Sequence, residues 1–364
     1  MEKARQRANR ILYPPFDALY DEDAREYQGV PTIAVTRGGR IFTGWYSGGD
    51  REPHIDNYLL PEYSDDGGKS WSGPLLIIPS SREDKVHTLD PQLWLAPDGR
   101  LILFWVQNNV ELRGDVCDFY DVTHSEWAMS CSDPDAEAPF FSAPRLLYPG
   151  FLHCKPLILA SGRQLHFSYD QLTDRYGYCF SDDCGKTYTR RYGGKKLPVY
   201  FDEAMAYQRS DGSIRMLARS VTGELAKSIS ADDGMTRTDG LGSGIVNPDS
   251  RFFVSKLPSG RVLLINNDHP TLRTNLTLSL SEDDGATWKY RLCIDRRDEI
   301  SYPDADCRDG IIYLIYDRER CDSDLNYSRR AAREILFARF TEEDVINARD
   351  IPILTVSRPR KTNK

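Results

Sequence analysis

The feature of this sequence that most constrains its fold is a turn motif that occurs four times. Its form is Ser-x-Asp-x-Gly-x-Ser/Thr, and an aromatic residue follows in three of the copies. The copies begin at Ser64, Ser181, Ser230 and Ser281, and the Ser230 copy ends in Arg237 instead of an aromatic residue. In such a turn the Asp side chain accepts N–H groups and the Gly takes a positive φ. Four copies predict a chain that is built from repeated units.

A second periodic signal supports the first. Two short apolar strands separated by a glycine turn occur six times, at spacings of 48 to 63 residues. The turn glycines are Gly39, Gly99, Gly162, Gly212, Gly260 and Gly310. The aspartate motif follows the first, third and fifth hairpins, a degenerate copy follows the fourth, and only Ser130–Asp135 stands at this place after the second. A repeat of roughly 40–50 residues with four strands is typical of a propeller blade.

The sequence therefore predicts an all-β fold, a six-bladed β-propeller in one domain that spans residues 1–364. The blades are expected at about residues 25–75, 85–145, 150–192, 199–240, 248–292 and 298–342. Radial stacking of such blades buries both faces of each sheet and leaves only short edges exposed. The sixth hairpin has no aspartate turn after it, so we expect a terminal strand to close the ring there, from either residues 10–15 or residues 352–356.

Composition disfavours several classes of function. The 364 residues carry a formal net charge of −8, with no basic run except at the C-terminal tail, which disfavours nucleic-acid binding. No apolar run reaches membrane-spanning length, and the charged N-terminus lacks the apolar segment of a signal peptide. The eight cysteines form no CxxC pair, which favours reduced thiols in a cytoplasmic protein. No cluster has metal-ligand spacing, so we expect neither a metal nor another cofactor, and the oligomeric state stays open.

The topology of a propeller brings distant parts of the sequence to one mouth of its central channel. Residues just before each hairpin meet there, as do residues just after its second strand. The basic members suit an anion, and they are Lys155, Arg219, Arg251, Arg273 and Arg318. The acidic members suit proton transfer, and they are Asp90, Asp202, Glu203, Asp304 and Asp317. Because burial of so many charges without a ligand or water is costly, this concentration predicts a functional site.

The repeat and these residues together resemble the sialidase superfamily of six-bladed propellers, which carry the aspartate (BNR) repeat, over nearly the whole chain. Glu203 and Arg219 lie 16 residues apart (219 − 203) across one hairpin and match a Glu base and a carboxylate-binding Arg of that family. Arg273 matches the family's next arginine. Tyr302, which opens the sixth inner strand, matches the Tyr nucleophile, and Asp90 matches an Asp beside the substrate.

The resemblance implies a glycoside hydrolase of the retaining, exo-acting type that cleaves a terminal acidic sugar, such as sialic acid or a uronic acid. Glu203 would deprotonate Tyr302, Tyr302 would attack the anomeric carbon, and the arginines would hold the substrate carboxylate. A neutral Tyr suits this chemistry because a carboxylate nucleophile would repel an anionic sugar. The expected partner is therefore a carbohydrate, most simply an acidic glycan.

The chain departs from the sialidase pattern on its first inner strand. The family places an arginine there, and this chain has Gly29 before Val30 and Pro31. Arg251 or Lys155 would have to supply the lost charge. Two other functions therefore stay open: a polysaccharide lyase or inverting hydrolase that acts on uronate-containing glycans, and a non-catalytic glycan-binding propeller.

The acid/base residue is the second departure. By resemblance it should lie in the loop after the first hairpin, residues 47–57. Asp50, Glu52, His54 and Asp56 all qualify, and we favour Glu52 or His54. The catalytic set expected from the sequence is thus Tyr302 and Glu203 with one of these loop residues.

Overall fold

The computed structural model describes residues 3–119, 124–169, 173–320 and 332–359. Within this part the chain is almost entirely β-structure. It has one short α-helix, α1 (Glu342–Ile346), and three 3₁₀ turns at Lys3–Arg5, Ala18–Tyr20 and Glu22–Ala24. No helix of these residues is both long and apolar enough to span a membrane. The seven cysteines in this part are all free, and Cys321 lies outside the described residues.

The strands form six sheets in which four strands are hydrogen-bonded in chain order. The first three contain β1 (Gln28–Val35), β2 (Ile41–Ser47), β3 (Tyr58–Ser64) and β4 (Ile78–Pro79); β5 (Val86–Leu95), β6 (Leu101–Arg113), β8 (Ser125–Cys131) and β9 (Arg145–Pro149); and β11 (Leu157–Ile158), β12 (Gln164–His166), β14 (Arg175–Ser181) and β15 (Thr189–Lys195). The other three contain β16 (Ala204–Gln208), β17 (Ile214–Ala218), β18 (Glu224–Ser230) and β19 (Leu241–Val246); β20 (Phe253–Lys256), β21 (Val262–Asn267), β22 (Leu276–Ser281) and β23 (Tyr290–Asp295); and β24 (Ile300–Arg308), β25 (Ile311–Arg318), β26 (Glu334–Thr341) and β27 (Ile353–Ser357). Two additions are β7 (Val116–Phe119), which pairs with β6, and the pair β10 (Phe151–Leu152) with β13 (Ser168–Tyr169).

The six predicted hairpins are confirmed. Each sheet starts with two strands joined at one of the six turn glycines, and all six glycines have a positive φ, between 78° and 93°. L-residues with a Cβ adopt this region at a cost, so glycine fits the turn. The all-β fold class predicted from the repeat is therefore correct.

The chain separates into two compact units. The first contains the residues up to Pro149, Tyr302–Arg339 and the residues from Pro352 on; the second contains Gly150–Ser301 and Phe340–Ile351. In the first unit every residue of β1 and β2 is buried, and Trp45 and Phe337 belong to its apolar core. Burial on both faces is what an inner strand covered by neighbouring sheets requires.

Both terminal segments that we considered for ring closure pair with strands of the first unit. β27 pairs antiparallel with β26 and completes the sixth sheet. Leu12 forms an isolated bridge with Ile77, just before β4. The sixth sheet thus obtains its outermost strand from the C-terminal segment, while the N-terminal segment lies along the first sheet.

The aspartate motifs are turn structures, as their chemistry predicts. Asp66 accepts hydrogen bonds from the Ser64 hydroxyl at 2.8 Å and from the Ser70 hydroxyl at 2.6 Å and amide at 2.9 Å. The same pattern recurs around Asp183, Asp232 and Asp283. The hydrogen bonds from Ser70 lower the pKa of Asp66, because they favour its ionised form.

The degenerate fourth copy replaces its aromatic residue with a buried arginine. Arg237 lies between two rings, with its guanidinium carbon 4.8 Å from the Phe167 centroid and 4.9 Å from the Tyr178 centroid. Burial lowers the pKa of Arg237 to about 10. A planar cation between two aromatic faces therefore fills the place that a Trp or Tyr takes in the other copies.

The second blade has no complete aspartate motif, but one carboxylate at that place, Asp135, stabilises the turn of another blade. Asp135 accepts hydrogen bonds from the Gly38 amide at 3.0 Å and from the Thr36 hydroxyl. Both donors belong to the glycine turn of the first hairpin. The remnant of the motif thus stabilises the turn of a different sheet within the first unit.

Candidate functional site

Three inner strands of the first unit share an unusual backbone conformation near their start. Val30, Asp90 and Tyr302 have φ values of 55°, 48° and 53°, and a proline follows each of them. β1 and β5 also shift register at this point. A left-handed conformation costs an L-residue roughly 1–2 kcal/mol, and it clusters at functional sites. Two of these residues, Asp90 and Tyr302, are site residues predicted from the sequence.

Buried carboxylates hold the first inner strand in this conformation. Asp317 Oδ2 accepts a hydrogen bond from the Val30 amide at 2.9 Å. Asp304 Oδ2 accepts from the Ile33 amide at 2.9 Å and from the Thr32 hydroxyl at 2.8 Å. Both carboxylates are fully buried. We expected them among the groups suited to proton transfer, and in the structure both accept hydrogen bonds from β1.

Four side chains of the first unit, Tyr302, Arg320, Glu52 and Tyr27, form what we call the Tyr302 cluster. The guanidinium carbon of Arg320 lies 4.6 Å from the centroid of the Tyr302 ring. Arg320 Nη1 forms an ion pair with Glu52 Oε1, and Glu52 Oε2 accepts a hydrogen bond from the Tyr27 hydroxyl at 2.6 Å. Burial, together with the Glu52 carboxylate, raises the pKa of Tyr27, so this phenol stays protonated and donates.

Gly29 lies directly against this cluster. A Cβ at Gly29 would overlap Cδ of Arg320 and would lie 2.9 Å from the Tyr27 hydroxyl oxygen. The Gly29 backbone is not in the left-handed region, so the position needs glycine for space. The sialidase pattern has an arginine at the position of Gly29. In this chain the side chain of Arg320, two residues after β25, lies against that position.

The loop expected to hold the acid/base residue is organised by Asn57. Its Oδ1 accepts a hydrogen bond from the His54 amide at 2.7 Å and lies 3.0 Å from Nε2 of His87. Its Nδ2 donates to the Arg51 carbonyl at 3.0 Å. Asn57 is fully buried, so its hydrogen bonds hold the loop on the protein side. Several charged side chains of the loop are exposed at the surface.

Every carboxylate that qualified in this loop has an arginine partner. The pairs are Asp50 with Arg51, Glu52 with Arg320 and Asp56 with Arg82. The hydrogen bond from Arg51 lowers the pKa of Asp50. The guanidinium partner thus favours the ionised form of Asp50, which makes Asp50 a weaker proton donor.

His54 lies between two of these carboxylates. Its Nε2 is 4.0 Å from Asp50 Oδ1, and its Nδ1 is 3.7 Å from Asp56 Oδ2. Nδ1 accepts a hydrogen bond from the Asp56 amide at 3.1 Å, which puts the proton of the neutral ring on Nε2. In this tautomer His54 presents Nε2 as a hydrogen-bond donor and Nδ1 as an acceptor.

A second group of side chains, the Glu203 cluster, lies in the second unit and contains Glu203, Arg219, His153, Asp249 and Arg273. Glu203 is only 3% exposed. Its Oε2 lies 3.1 Å from Arg219 Nη1, and its Oε1 lies 3.7 Å from His153 Nδ1. The Arg219 amide also donates to the Glu203 carbonyl at 2.9 Å, because the two residues flank the antiparallel pair of β16 and β17.

Asp249 joins the two arginines of this cluster. Its Oδ1 lies 2.6 Å from Arg219 Nε, and its carbonyl oxygen accepts from Arg273 Nη2 at 3.1 Å. The side chain of Asp249 is 35% exposed, whereas Arg219 is buried. The Phe201 ring covers Arg219, with 5.5 Å between the ring centroid and the guanidinium carbon. The two predicted carboxylate-binding arginines are therefore held around one aspartate.

His153 is fixed within a stack of rings. Its ring lies 4.3 Å from Phe151 and 5.2 Å from Tyr169, centroid to centroid, and is nearly parallel to both. Its Nε2 lies 3.2 Å from the Tyr169 hydroxyl. The stack orients the imidazole so that Nδ1 faces Glu203, which gives this carboxylate a second partner besides Arg219.

The other predicted substrate-binding residues lie in different surroundings. Lys155 Nζ lies 5.8 Å from the Phe253 ring, and Arg251 is fully buried. Arg318 forms ion pairs with Glu334 at 3.0 Å and Glu319 at 2.9 Å, so its two nitrogens face carboxylates of its own unit. The structure thus joins Glu203, Arg219 and Arg273 in one cluster and Tyr302 with Glu52 in another.

Sequence reasoning missed three residues of these clusters, Arg320, Tyr27 and Asp249. Each lies two residues from a residue that we had singled out: Arg320 from Arg318, Tyr27 from Gly29 and Asp249 from Arg251. The signal for Asp249 was a charged residue directly after a proline and before an inner strand. For Arg320 the signal was Gly29 itself, because a missing side chain leaves room for another.

A comparison with protein families matches residues 39–314 to the family described as BNR repeat-like domain. A search of curated proteins finds no match. Solved structures match over most of the chain. The NanB sialidase from Streptococcus pneumoniae, in complex with 2-[(3-chlorobenzyl)ammonio]ethanesulfonate, is 18% identical with a TM-score of 0.68, over 91% of this chain and 71% of that chain.

Two further structures show the same similarity. The Hadza microbial sialidase Hz136 is 16% identical with a TM-score of 0.70, over 90% of this chain and 67% of that one. The intramolecular trans-sialidase from Ruminococcus gnavus, in complex with oseltamivir carboxylate, is 16% identical with a TM-score of 0.66, over 89% and 96%. At these identities the similarity shows the fold, a six-bladed β-propeller. Since the family match covers most of its length, the chain belongs to the family of BNR repeat-like domains and is a sialidase-like propeller.

Proposed function

We propose that this protein is a retaining exo-glycosidase that removes a terminal acidic sugar, with Tyr302 as its nucleophile. The observation that carries the proposal is the state of Tyr302. Its backbone is held in a left-handed conformation before a proline, and its ring packs against the guanidinium of Arg320. Strain that the surrounding structure maintains is a mark of a functional residue.

The Glu203 cluster supplies the second part of the proposal. Glu203 is the base that takes the phenolic proton of Tyr302 as its oxygen attacks the anomeric carbon. Arg219 and Arg273 bind the carboxylate of the sugar, since a guanidinium presents two parallel donors to a carboxylate. The support is that both arginines are already held around the partly exposed Asp249, whose place the substrate carboxylate would take.

His54 is the acid/base residue of this mechanism. As the glycosidic bond breaks, the imidazolium form of His54, whose Nδ1 lies 3.7 Å from the Asp56 carboxylate, gives its Nε2 proton to the leaving oxygen and becomes neutral. In the second step His54 takes a proton from water, the water oxygen attacks the anomeric carbon, and the Tyr302 oxygen leaves and regains its proton from Glu203. The support is that the three carboxylates of the loop are paired with arginines, whereas His54 lies between Asp50 and Asp56.

The remaining predicted residues complete the substrate site. Asp90 shares the left-handed conformation of Tyr302 and would accept a hydrogen bond from the sugar. Lys155 and Arg251 add positive charge that attracts an anionic glycan, whereas the charge of Arg318 is balanced by Glu319 and Glu334. Glu52 acts through Arg320 and not as the proton donor, because its carboxylate binds a guanidinium and a phenol.

The test is hydrolysis of a panel of aryl glycosides of acidic sugars, with N-acetylneuraminic, glucuronic and galacturonic acids as the glycones. We expect turnover of at least one member and, by proton NMR of the first product, the same anomer as in the substrate. An inverted first product would overturn the Tyr nucleophile. No turnover of any member by the folded protein would overturn the enzymatic function.

A second function is favoured by one specific feature. Gly29 leaves the first inner strand without the arginine of the sialidase pattern, so a uronate in a longer glycan is an alternative substrate. A lyase would release an unsaturated, ultraviolet-absorbing sugar and would consume no water. Incubation with polyuronates in ¹⁸O-water separates the two functions, because only hydrolysis incorporates the label.

A further inference from the structure

We propose that Arg320 is a positioning residue that fixes the Tyr302 ring for its attack, and that Gly29 is needed because the Arg320 side chain crosses it. This inference rests on the proposed function of Tyr302. Arg320 does not touch the substrate in this account, since the side chain is only 2% exposed. It acts through the tyrosine on which it lies.

The first step of the argument is the geometry of the ring contact. The Arg320 guanidinium carbon lies 4.6 Å from the centroid of the Tyr302 ring. A desolvated cation over an aromatic face is attracted by the negative face of the ring. The contact therefore restricts both the tilt and the position of a ring whose backbone is already constrained.

The second step is that the guanidinium itself cannot drift. Nη1 is paired with Glu52, and the other oxygen of Glu52 accepts a hydrogen bond from Tyr27 at 2.6 Å. Nε lies 3.9 Å from Asp317 Oδ2, and the Arg320 carbonyl accepts from the Gln28 amide at 3.1 Å. The backbone of Arg320 is thus bonded to the start of β1, and its guanidinium is paired with Glu52 in the loop of residues 47–57.

The third step concerns the room that Arg320 needs. A Cβ at position 29 would overlap Cδ of Arg320, in the middle of its side chain and not at its flexible end. To admit even a methyl group, the arginine would have to shift and carry its guanidinium away from the ring. Gly29 and Arg320 therefore form one unit, in which the missing side chain of one makes the placement of the other possible.

The consequence for the reaction follows from charge. In the second chemical step the Tyr302 oxygen leaves the anomeric carbon and carries negative charge until it regains its proton. A fixed cation on the ring stabilises that charge in the transition state and costs no reorganisation at that moment. Loss of Arg320 should thus lower kcat and leave KM nearly unchanged.

The experiment is a mutant cycle at positions 29 and 320 with kcat, KM and melting temperature as readouts. We expect Arg320→Ala to lower kcat by about 10- to 100-fold with KM within about twofold of the unmutated protein. Arg320→Lys should recover part of kcat, because it keeps the charge but not the planar group. Gly29→Ala should lower kcat on its own, and should lower it no further when combined with Arg320→Ala.

Several results would overturn the proposal. One is a strictly additive cycle, and another is an Arg320→Ala variant that raises KM at unchanged kcat, which would make Arg320 a direct substrate contact. Arg237→Leu is the matched control, because it removes a buried arginine between two rings in the other unit. It should lower the melting temperature without changing kcat.

A protein that cleaves no glycoside would overturn the proposed function and not the packing on which this inference depends. Melting temperatures then test by themselves whether Arg320 packs on the Tyr302 ring. Tyr302→Leu and Arg320→Ala should be less than additive in their destabilisation, because each removes the same contact. Full additivity would show that Arg320 does not hold the Tyr302 ring, whatever the activity.

Discussion

The Glu203 cluster and the Tyr302 cluster use a buried arginine in two different ways. Arg219 meets carboxylates with its nitrogen atoms, at 3.1 Å from Glu203 and 2.6 Å from Asp249. Arg320 also binds a carboxylate, but its guanidinium carbon lies over the Tyr302 ring, 4.6 Å from the centroid. The edge of a guanidinium selects a carboxylate, whereas its face orients an aromatic ring. The same residue type is thus suited to binding in one cluster and to positioning in the other.

The backbone differs between the two clusters as well. Tyr302 has a positive φ, as do Val30 and Asp90 on the inner strands nearby in the first unit. Glu203 and Arg219 have ordinary strand-like surroundings, at the two ends of a regular antiparallel hairpin. The proposed nucleophile therefore has a left-handed backbone, whereas Glu203 and Arg219 do not.

The largest expected effect tests whether the two clusters act on one reaction. Tyr302→Phe should lower kcat by at least about 100-fold, which is about 2.7 kcal/mol of barrier, because it removes the nucleophilic oxygen. Glu203→Gln should have an effect of similar size. The double variant should be scarcely worse than either single one, since base and nucleophile act as a unit. If the loss of kcat in the double variant instead equals the product of the two single losses, the two clusters act independently.

A smaller effect should separate binding from positioning. The unmutated protein should prefer a free acid over its methyl ester, and Arg219→Gln should abolish this preference by raising KM for the acid about 10- to 100-fold. Arg320→Ala should keep the preference while lowering kcat. Equal loss of preference in both variants, measured as the ratio of kcat/KM values, would erase the distinction between the two arginines. Circular dichroism of Arg219→Gln is the necessary control, because Glu203 loses a buried partner.

These clusters show how much of the site the sequence could predict. The repeat and the six turn glycines predicted the blades, because turn chemistry is local and repeats itself. The places of Glu203, Arg219 and Arg273 around the hairpins predicted that the three lie near one another, and the structure joins them in one cluster. The Arg320 contact was not, since it depends on a side chain that reaches across from another strand into the space left by Gly29.

The loop of residues 47–57 illustrates the same limit. The sequence places four titratable residues there and cannot rank them, because each could serve as acid or base. Their ranking depends on arginines from elsewhere in the chain, such as Arg82 and Arg320, which pair with the carboxylates. Tertiary ion pairs of this kind leave no pattern in the local sequence.

A pH dependence of the stability, of intermediate size, should come from Glu62 in the first unit, which belongs to neither cluster. Burial raises the pKa of Glu62 on β3 to about 7. Because the unfolded value is about 4.3, the folded state binds more protons between these values, so stability should fall as pH rises from about 4.5 to 7. Glu62→Gln should flatten this dependence and raise stability at pH of about 8 by ~1–3 kcal/mol.

The measurement for Glu62 is urea unfolding at a series of pH values, compared with the pH profile of kcat. An unchanged kcat profile with a flattened stability profile would assign the pH dependence of activity to the clusters. A shift of both profiles together would show that the activity follows the stability of the first unit.

The smallest expected effect concerns an arginine that belongs to neither cluster. Arg237 lies between Phe167 and Tyr178, and within the described residues none of its three guanidinium nitrogens has a hydrogen-bond partner. Arg237→Trp restores the aromatic residue of the turn motif and removes a desolvated charge. We expect stability to rise by about 1 kcal/mol with kcat unchanged. A fall in the melting temperature would show that the buried cation is the better side chain at this place.

The central claim is that Tyr302 forms a covalent bond with the sugar. The most direct test is to incubate the protein with a fluorinated acidic sugar that has a good leaving group, which slows breakdown of the intermediate, and to map the adduct by mass spectrometry of peptides. The account predicts one adduct, on the peptide that contains Tyr302, and none in Tyr302→Phe. An adduct on another residue, or turnover of the sugar with inverted configuration, would contradict it.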